Sequence, residues 1–139
     1  MGKSIFETGP IGSGHAMKAL NNYVSAAGLL AACEALRVGT QFGLDPVLMT
    51  DILNASTGRN NSTEVKLKPF VIPKNYTSGF SMALMAKDLR TADDLARQID
   101  VPAPFSHACS ALWAQALDAL GSEADHTAID AFVADTSLI

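Results

Sequence analysis

The chain lacks the uninterrupted apolar run of roughly 18 residues that a membrane helix needs. Its longest stretch of small apolar residues, Ala26 to Ala35, contains Glu34 and is closed by Arg37. An N-terminal apolar segment of the secretory kind is also missing, so a cytoplasmic protein with no membrane partner is expected. Cysteine is scarce. Cys33 and Cys109 stand far apart, at no metal-ligand spacing, each on a mostly apolar face of a helical pattern. Two buried free thiols are expected, not a disulfide. His15, His107 and His126 are equally scattered, and no metal site is predicted. Positive charge is not concentrated either. Lys66, Lys68 and Lys74 gather loosely around Pro69 and Pro73 and read as a solvated loop, in a chain of net charge -4. No nucleic-acid partner is expected from that distribution. After residue 8 there is no alternating strand pattern, and internal repeats and low-complexity stretches are absent.

What is present is enough for one globular domain. The chain has 139 residues, of which 48% are hydrophobic and 17% charged. That length can bury an independent core. A short extended piece at residues 3–8 cannot form a sheet alone. The turn Gly9-Pro10-Ile11-Gly12-Ser13-Gly14 then opens a helix predicted from about Ser13 to about Gln41. Met17, Leu20, Val24, Ala27, Ala31 and Ala35 recur along it at three- and four-residue steps. At about 1.5 Å per residue it would be about 42 Å long. Its middle, with Ala26, Ala27, Gly28, Ala31, Ala32 and Ala35, predicts a packing spine that lets another helix approach closely.

Gly43 punctuates, and Asp45 with Pro46 marks the cap and first residue of a helix over 46–56. Residues 63–80 read mainly as loop, with room for one helical turn. Ser81 caps a helix over 82–99, with Leu84, Leu89, Ala92, Leu95, Ala96 and Ile99 on its expected core side. A further helix spans 104–120, with Phe105, Cys109, Leu112, Ala116 and Leu120 on one stripe and Gly121 as its stop. Trp113 is assigned to core or interface packing. Thr127 is the expected cap of a last short helix through Ala134. The fold class is all-α, a helical bundle with one long N-terminal helix.

The glycine turn is the most informative segment. Gly12-x-Gly14 is not a dinucleotide fingerprint, because Met17 stands where its last glycine belongs and no second strand follows. Glu34 has the offset of a ribose-binding acid but falls inside the same helix. Glycines at a helix N-terminus instead let backbone approach an anion closely. Lys18 lies in the second turn and Asn22 follows at i+4 on the same face, about 5–6 Å away between Cβ atoms. An ammonium and a carboxamide so placed can hold one small polar molecule. On spacing alone, a solvated lysine and a polar asparagine remain the ordinary reading.

The run Gly9-x-x-Gly12-x-Gly14-x-x-x-Lys18-x-x-Asn21-Asn22 resembles the catalytic segment of the β-hydroxyacid dehydrogenases. That family includes 3-hydroxyisobutyrate, tartronate semialdehyde and 6-phosphogluconate dehydrogenases. Met1 to Thr8 is similar to the family's segment just before that motif. Phe80 with Lys87-Asp88-Leu89 resembles its cofactor motif, and Asn54-Ala55-Ser56-Thr57-Gly58-Arg59 is a looser match. The resemblance implies a fold like the C-terminal domain of 6-phosphogluconate dehydrogenase. Residues 1–10 would be the last strand and linker of a missing Rossmann domain, and 11–139 a helical catalytic and dimerisation domain. It implies Lys18 as general acid/base and Asn22 as a substrate hydrogen-bonding residue. Gly12 and Gly14 would shape the substrate turn. His15 stands beside it, where a histidine without a role is the ordinary reading and a minor substrate contact the lesser one. Lys87, Phe80 and Asp88 would face the cofactor, NAD or NADP. The implied partners are a small β-hydroxyacid, the Rossmann domain of the same protein and a second copy, in a homodimer or larger homo-oligomer. The chain alone is expected to be inactive, since most of the cofactor site belongs to the other domain. No arginine cluster suited to a phosphate stands near Lys18, which disfavours a phosphosugar substrate. A different class of function stays open: a helical dimerisation or small-acid-binding module with no chemistry of its own.

Overall fold

The computed structural model describes residues 12–135. The extended piece expected at 3–8 and the strand-and-linker assignment of residues 1–10 lie outside the described residues. Within them the architecture is helical throughout: α1 (Ser13–Phe42), α2 (Pro46–Asn54), α3 (Asn61–Val65), a π-helical turn (Leu67–Val71), α4 (Met82–Gln98), α5 (Pro104–Leu120), a 3-10 turn (His126–Ala128) and α6 (Ile129–Ala134). No strand forms among the described residues. A single antiparallel bridge joins Ser81 to Asp125. No helix is long and apolar enough to cross a membrane among them.

Local chemistry sets most of the boundaries. The Asp45 side chain accepts from Leu48 N and Pro46 stands at the first helical position, so α2 starts where expected. Ser81 caps α4 in the same way, through Leu84 N. Gly43, at φ 115°, ends α1 in the left-handed region, where its N–H reaches back to the Gly39 and Thr40 carbonyls. Asn60 and Thr63 form a reciprocal capping box that starts α3, so the expected loop holds more helix than its sequence suggests. The π turn beyond it spans Pro69, with Val71 N donating to Lys66 O and Ile72 N to Leu67 O. It buries Leu67 and Val71. Thr127 caps no helix: Asp125 caps the 3-10 turn, and α6 begins after Ala128 with no side-chain cap. Asp125 accepts from Thr127 N, and a 3-10 turn precedes α6.

α1 packs chiefly on α4, and α4 on α5. The core gathers Leu29, Leu36, Leu89, Trp113, Ile129 and Phe132, all almost fully buried. Cys33 and Cys109 lie there as free, buried thiols. Burial pushes the Cys33 thiol up strongly and Cys109 up to about 11, so neither is a nucleophile at neutral pH. The stripe read as the α1 repeat faces the other way. Met17, Leu20 and Val24 are exposed, the last by 67%, while Ala19, Ala26, Leu29, Leu30, Cys33 and Leu36 face the core. α1 is apolar on two sides, and periodicity alone cannot say which side meets the bundle. The same holds for Leu84 of α4, Ile99 just after it and Phe105 of α5, all exposed. Met82, Met85 and Ala86 supply core contacts instead of the first two, and Trp113 is the large buried anchor of α5. The small-residue spine does admit close neighbours. The Asn60 side chain lies against Gly28 and donates to its carbonyl at 3.3 Å, and a side chain at Gly39 would collide with Met49.

Two buried carboxylates tie the layers together. Asp93 of α4 accepts from Ser106 Oγ of α5 at 3.1 Å, from Arg97 Nε at 3.2 Å and from the His107 ring. At the far end, Asp130 of α6 receives both nitrogens of the Arg37 fork, at 3.1 and 2.8 Å, and the Tyr76 hydroxyl at 2.7 Å. Lys74 and Tyr76 hold φ values of 60° and 49°, and the Tyr76–Asp130 bond helps fix that strained segment. Removing the carboxylate leaves the half-buried Arg37 charge and the Tyr76 hydroxyl unpaired. Asp130→Ala is therefore expected to cost about 3–5 kcal/mol of stability, read as a lowered midpoint in urea unfolding. A change within experimental error would show that the clamp is not structural.

Candidate active site

The N-terminal third of α1 lies over the first half of α4, and the two helices bring three polar side chains together. Gly12, at φ 91°, occupies a backbone conformation that a side chain would strain, directly before α1. Gly14 lies already inside the first turn of the helix and is exposed. His15 beside it is exposed as well. Two residues anchor the site. Asn22 Nδ2 donates to Asp88 Oδ2 at 2.6 Å, and Lys18 Nζ stands 3.9 Å from Asp88 Oδ1. The Asp88 side chain is 12% exposed and that of Lys18 61%. The ion pair is long and half in solvent, so its worth for stability is small. Its geometric effect is larger: a buried carboxylate of α4 orients an amide and faces an ammonium on one face of α1.

The cofactor trio of the sequence reading is not brought to one place. Asp88 turns inward to Asn22, whereas Lys87 is exposed on the outer side of α4. Consecutive helical residues point about 100° apart at 3.6 residues per turn. Phe80, just before α4, is half-buried beside a pocket of about 320 Å³. Its ring packs edge-on against His126, with centroids 5.5 Å apart.

That pocket contains residues the sequence did not point to. Asn22 and Ser25 of α1 line one side, and Lys66, Ser78 and His126 are among the others. Lys66 is half-buried, where a solvated loop lysine was expected. Burial draws its pKa down, with the Asp125 charge opposing. His126 is almost fully buried. Its Nδ1 lies 3.1 Å from the Phe80 carbonyl and 3.2 Å from Ser78 Oγ, while Nε2 has no hydrogen-bond partner among the described residues. Burial, followed by the Lys66 charge, pushes the His126 pKa down to about 4, against the Phe80 carbonyl and Asp125. The histidine is therefore neutral at neutral pH. Burial alone would raise the Asp125 carboxyl. Hydrogen bonds from Thr127, Ser78 and Gly79 outweigh it and hold Asp125 below the usual carboxylate range. No local motif marks Lys66 or His126; only the fold brings them to Asn22.

Ser106, His107 and Asp93 supply the residue types of a hydrolytic triad without its connectivity. Both Ser106 and His107 bond the same Asp93 carboxylate, so the histidine does not stand between serine and acid.

A family model described as "NAD-binding of NADP-dependent 3-hydroxyisobutyrate dehydrogenase" matches residues 12–132. Among curated proteins, 2-(hydroxymethyl)glutarate dehydrogenase of Eubacterium barkeri is 34% identical over 106 residues, which cover 76% of this chain and 35% of that protein. Mitochondrial 3-hydroxyisobutyrate dehydrogenase of Rattus norvegicus is 38% identical over 108 residues, covering 73% of this chain and 32% of that one. Among solved structures, Mycobacterium tuberculosis 3-hydroxyisobutyrate dehydrogenase with L-serine superposes with a TM-score of 0.83 at 27% identity, over 95% of this chain and 47% of its own. The chain spans about a third of the length of these curated relatives.

The His126 environment has a measurable signature. The folded pKa, about 4, lies below the ordinary 6.5. Between those values the unfolded chain binds more protons, so stability falls as the pH drops, by about 3 kcal/mol over the whole window. Asp93 and Asp125, whose folded pKa values lie below the ordinary 3.8, lose their contribution only at lower pH. Urea unfolding at pH 7, 5.5 and 4.5 should show this slope, and His126→Asn should flatten it. Parallel slopes in the two proteins would contradict the burial of a neutral ring.

Proposed function

The chain belongs to the NAD-binding domain family of NADP-dependent 3-hydroxyisobutyrate dehydrogenases, and from that membership we propose that it is the helical half of an enzyme oxidising a small β-hydroxyacid, with Lys18 as general acid/base. The observation that carries the reading is the juxtaposition of Lys18 and Asn22 on α1 with the buried Asp88 of α4. Asn22 gives one amide N–H to Asp88 and keeps the second for the substrate. Asp88 thereby fixes the amide's orientation and holds negative charge beside the lysine. Lys18 Nζ, in its amine form, takes the proton of the β-hydroxyl as the O–H bond breaks and the carbonyl forms. In the reverse direction the ammonium returns that proton to the alkoxide oxygen.

A bound nicotinamide supplies the hydride acceptor. The residues present suit one end of such a cofactor: Phe80 offers an aromatic ring beside the pocket, steadied by His126, and Lys87 an exposed ammonium for an anionic group. The greater part of a dinucleotide site would come from a Rossmann domain, for which residues 1–10 would be the junction. The relatives named for 3-hydroxyisobutyrate and 2-(hydroxymethyl)glutarate support a small hydroxyacid as substrate. The buried free thiols support a reducing compartment such as the cytoplasm.

A second role rests on its own observation. The outward apolar residues Val24 and Leu20 of α1 continue past Val38 and Phe42 to Leu48 and Ile52 of α2, all exposed. A surface of that kind marks an interface, and it suits both the Rossmann half and a second copy of the chain. The two roles are compatible.

Rejoined to a dinucleotide-binding half, the enzyme with Lys18→Ala should lose about 10²–10⁴-fold in kcat with its unfolding midpoint unchanged. Retention of turnover would leave only the scaffold role. The 139-residue chain by itself should reduce no NAD or NADP with 3-hydroxyisobutyrate. Light scattering should show a dimer or larger species that Phe42→Glu weakens; a monomeric wild-type chain would remove the interface reading.

A further inference from the structure

Lys66 is the charged group of the pocket that this chemistry does not use. It follows α3 at the start of the π turn, and its ammonium has no carboxylate within ion-pair distance among the described residues. The acid that most influences it, Asp125, is already committed. Asp125 accepts from Ser78 Oγ at 2.9–3.0 Å, from Gly79 N at 2.8 Å, from Thr127 N at 3.0 Å and from the Thr127 hydroxyl. A cation thus stands partly desolvated at the wall of a pocket whose other wall carries Asn22. Half-buried charge without a counter-ion is costly, and a ligand carboxylate offsets that cost.

The rest of the lining suits the same ligand. Val65, Phe70, Phe80 and Met85 give apolar surface for a short methylene chain. The His126 ring closes part of the wall, with Nδ1 turned to the Phe80 carbonyl. The volume, about 320 Å³, lies at the small end of ligand pockets, which run from roughly 300 to 1,000 Å³. A single lysine with no arginine beside it matches a carboxylate better than a phosphate, which calls for several donors.

We propose that Lys66 is a specificity residue that holds a second carboxylate, so that the preferred substrate is a dicarboxylic hydroxyacid whose reacting end lies at Lys18 and Asn22. The inference rests on the hydroxyacid reading above and adds the identity of the group at the substrate's far end. Lys66 takes no part in the proton transfer.

The test is an NMR titration of the 139-residue chain with glutarate and, separately, with butyrate, following the Asn22 side-chain amide and the backbone amides of Lys66 and His126. Glutarate should bind about ten-fold more tightly than butyrate, the worth of one charge-assisted contact. Lys66→Met, which keeps the aliphatic stem, should abolish that preference, while Lys66→Arg should retain it. Equal affinity for the two acids in the wild type, or a preference that survives Lys66→Met, overturns the proposal. In either case movement of the Asn22 amide leaves the hydroxyacid reading standing. Failure of both acids to perturb Asn22 overturns that reading and this one with it.

Discussion

Where α1 lies over α4, apolar packing and a polar contact meet in the same interface. Leu29 and Cys33 of α1 are buried in one core with Leu89 of α4, and small residues such as Ala26 and Ala86 let the helices come close. One turn towards the N-terminus of α1, Asn22 reaches Asp88 at 2.6 Å. Close packing leaves the two helices little freedom to slide. A shift of one residue would bury Asp88 without a donor, and a buried carboxylate left alone costs several kcal/mol. The core therefore fixes the register, and the register places Lys18. Precision of this kind is what the acid–base role proposed for Lys18 would demand of its scaffold.

The opposite end of α1 is held by different means. Arg37 grips Asp130 with both nitrogens of its fork, and Tyr76 completes the carboxylate's shell. Burial, and then the bond to Asp130, raises the tyrosine's pKa, so it stays a donor across the physiological range. The helix is thus pinned at two points, by an amide–carboxylate contact near its start and a guanidinium–carboxylate contact near its end. Between them lies the apolar core. This arrangement anchors a 30-residue helix at both ends against the rest of the domain.

Much of this was legible in the chain because it is local. Asp45-Pro46, Ser81, Gly43 and Gly121 act on their own neighbours, and each ends or begins a helix where the sequence places it. The Lys18–Asn22 pair is equally local, being one helical turn. What could not be read depends on partners distant in sequence. Periodicity found a stripe at Met17, Leu20 and Val24 but not that it points to solvent, since the facing helix of the bundle decides the matter. Lys87 and Asp88 were read together as neighbours, and helical geometry separates them. Lys66 and His126 gave no signal because their significance comes from burial beside a residue more than 40 positions away in one case and about 100 in the other.

A helix apolar on both sides also has a history in time. During synthesis α1 leaves the ribosome before α4 and α5 exist, so neither of its apolar faces has a partner. The inner face is covered when the bundle closes. The outer one, from Val24 past Val38 to Phe42, is exposed in the folded chain as well. Closing the bundle thus removes only half of the hazard that a nascent two-faced helix presents.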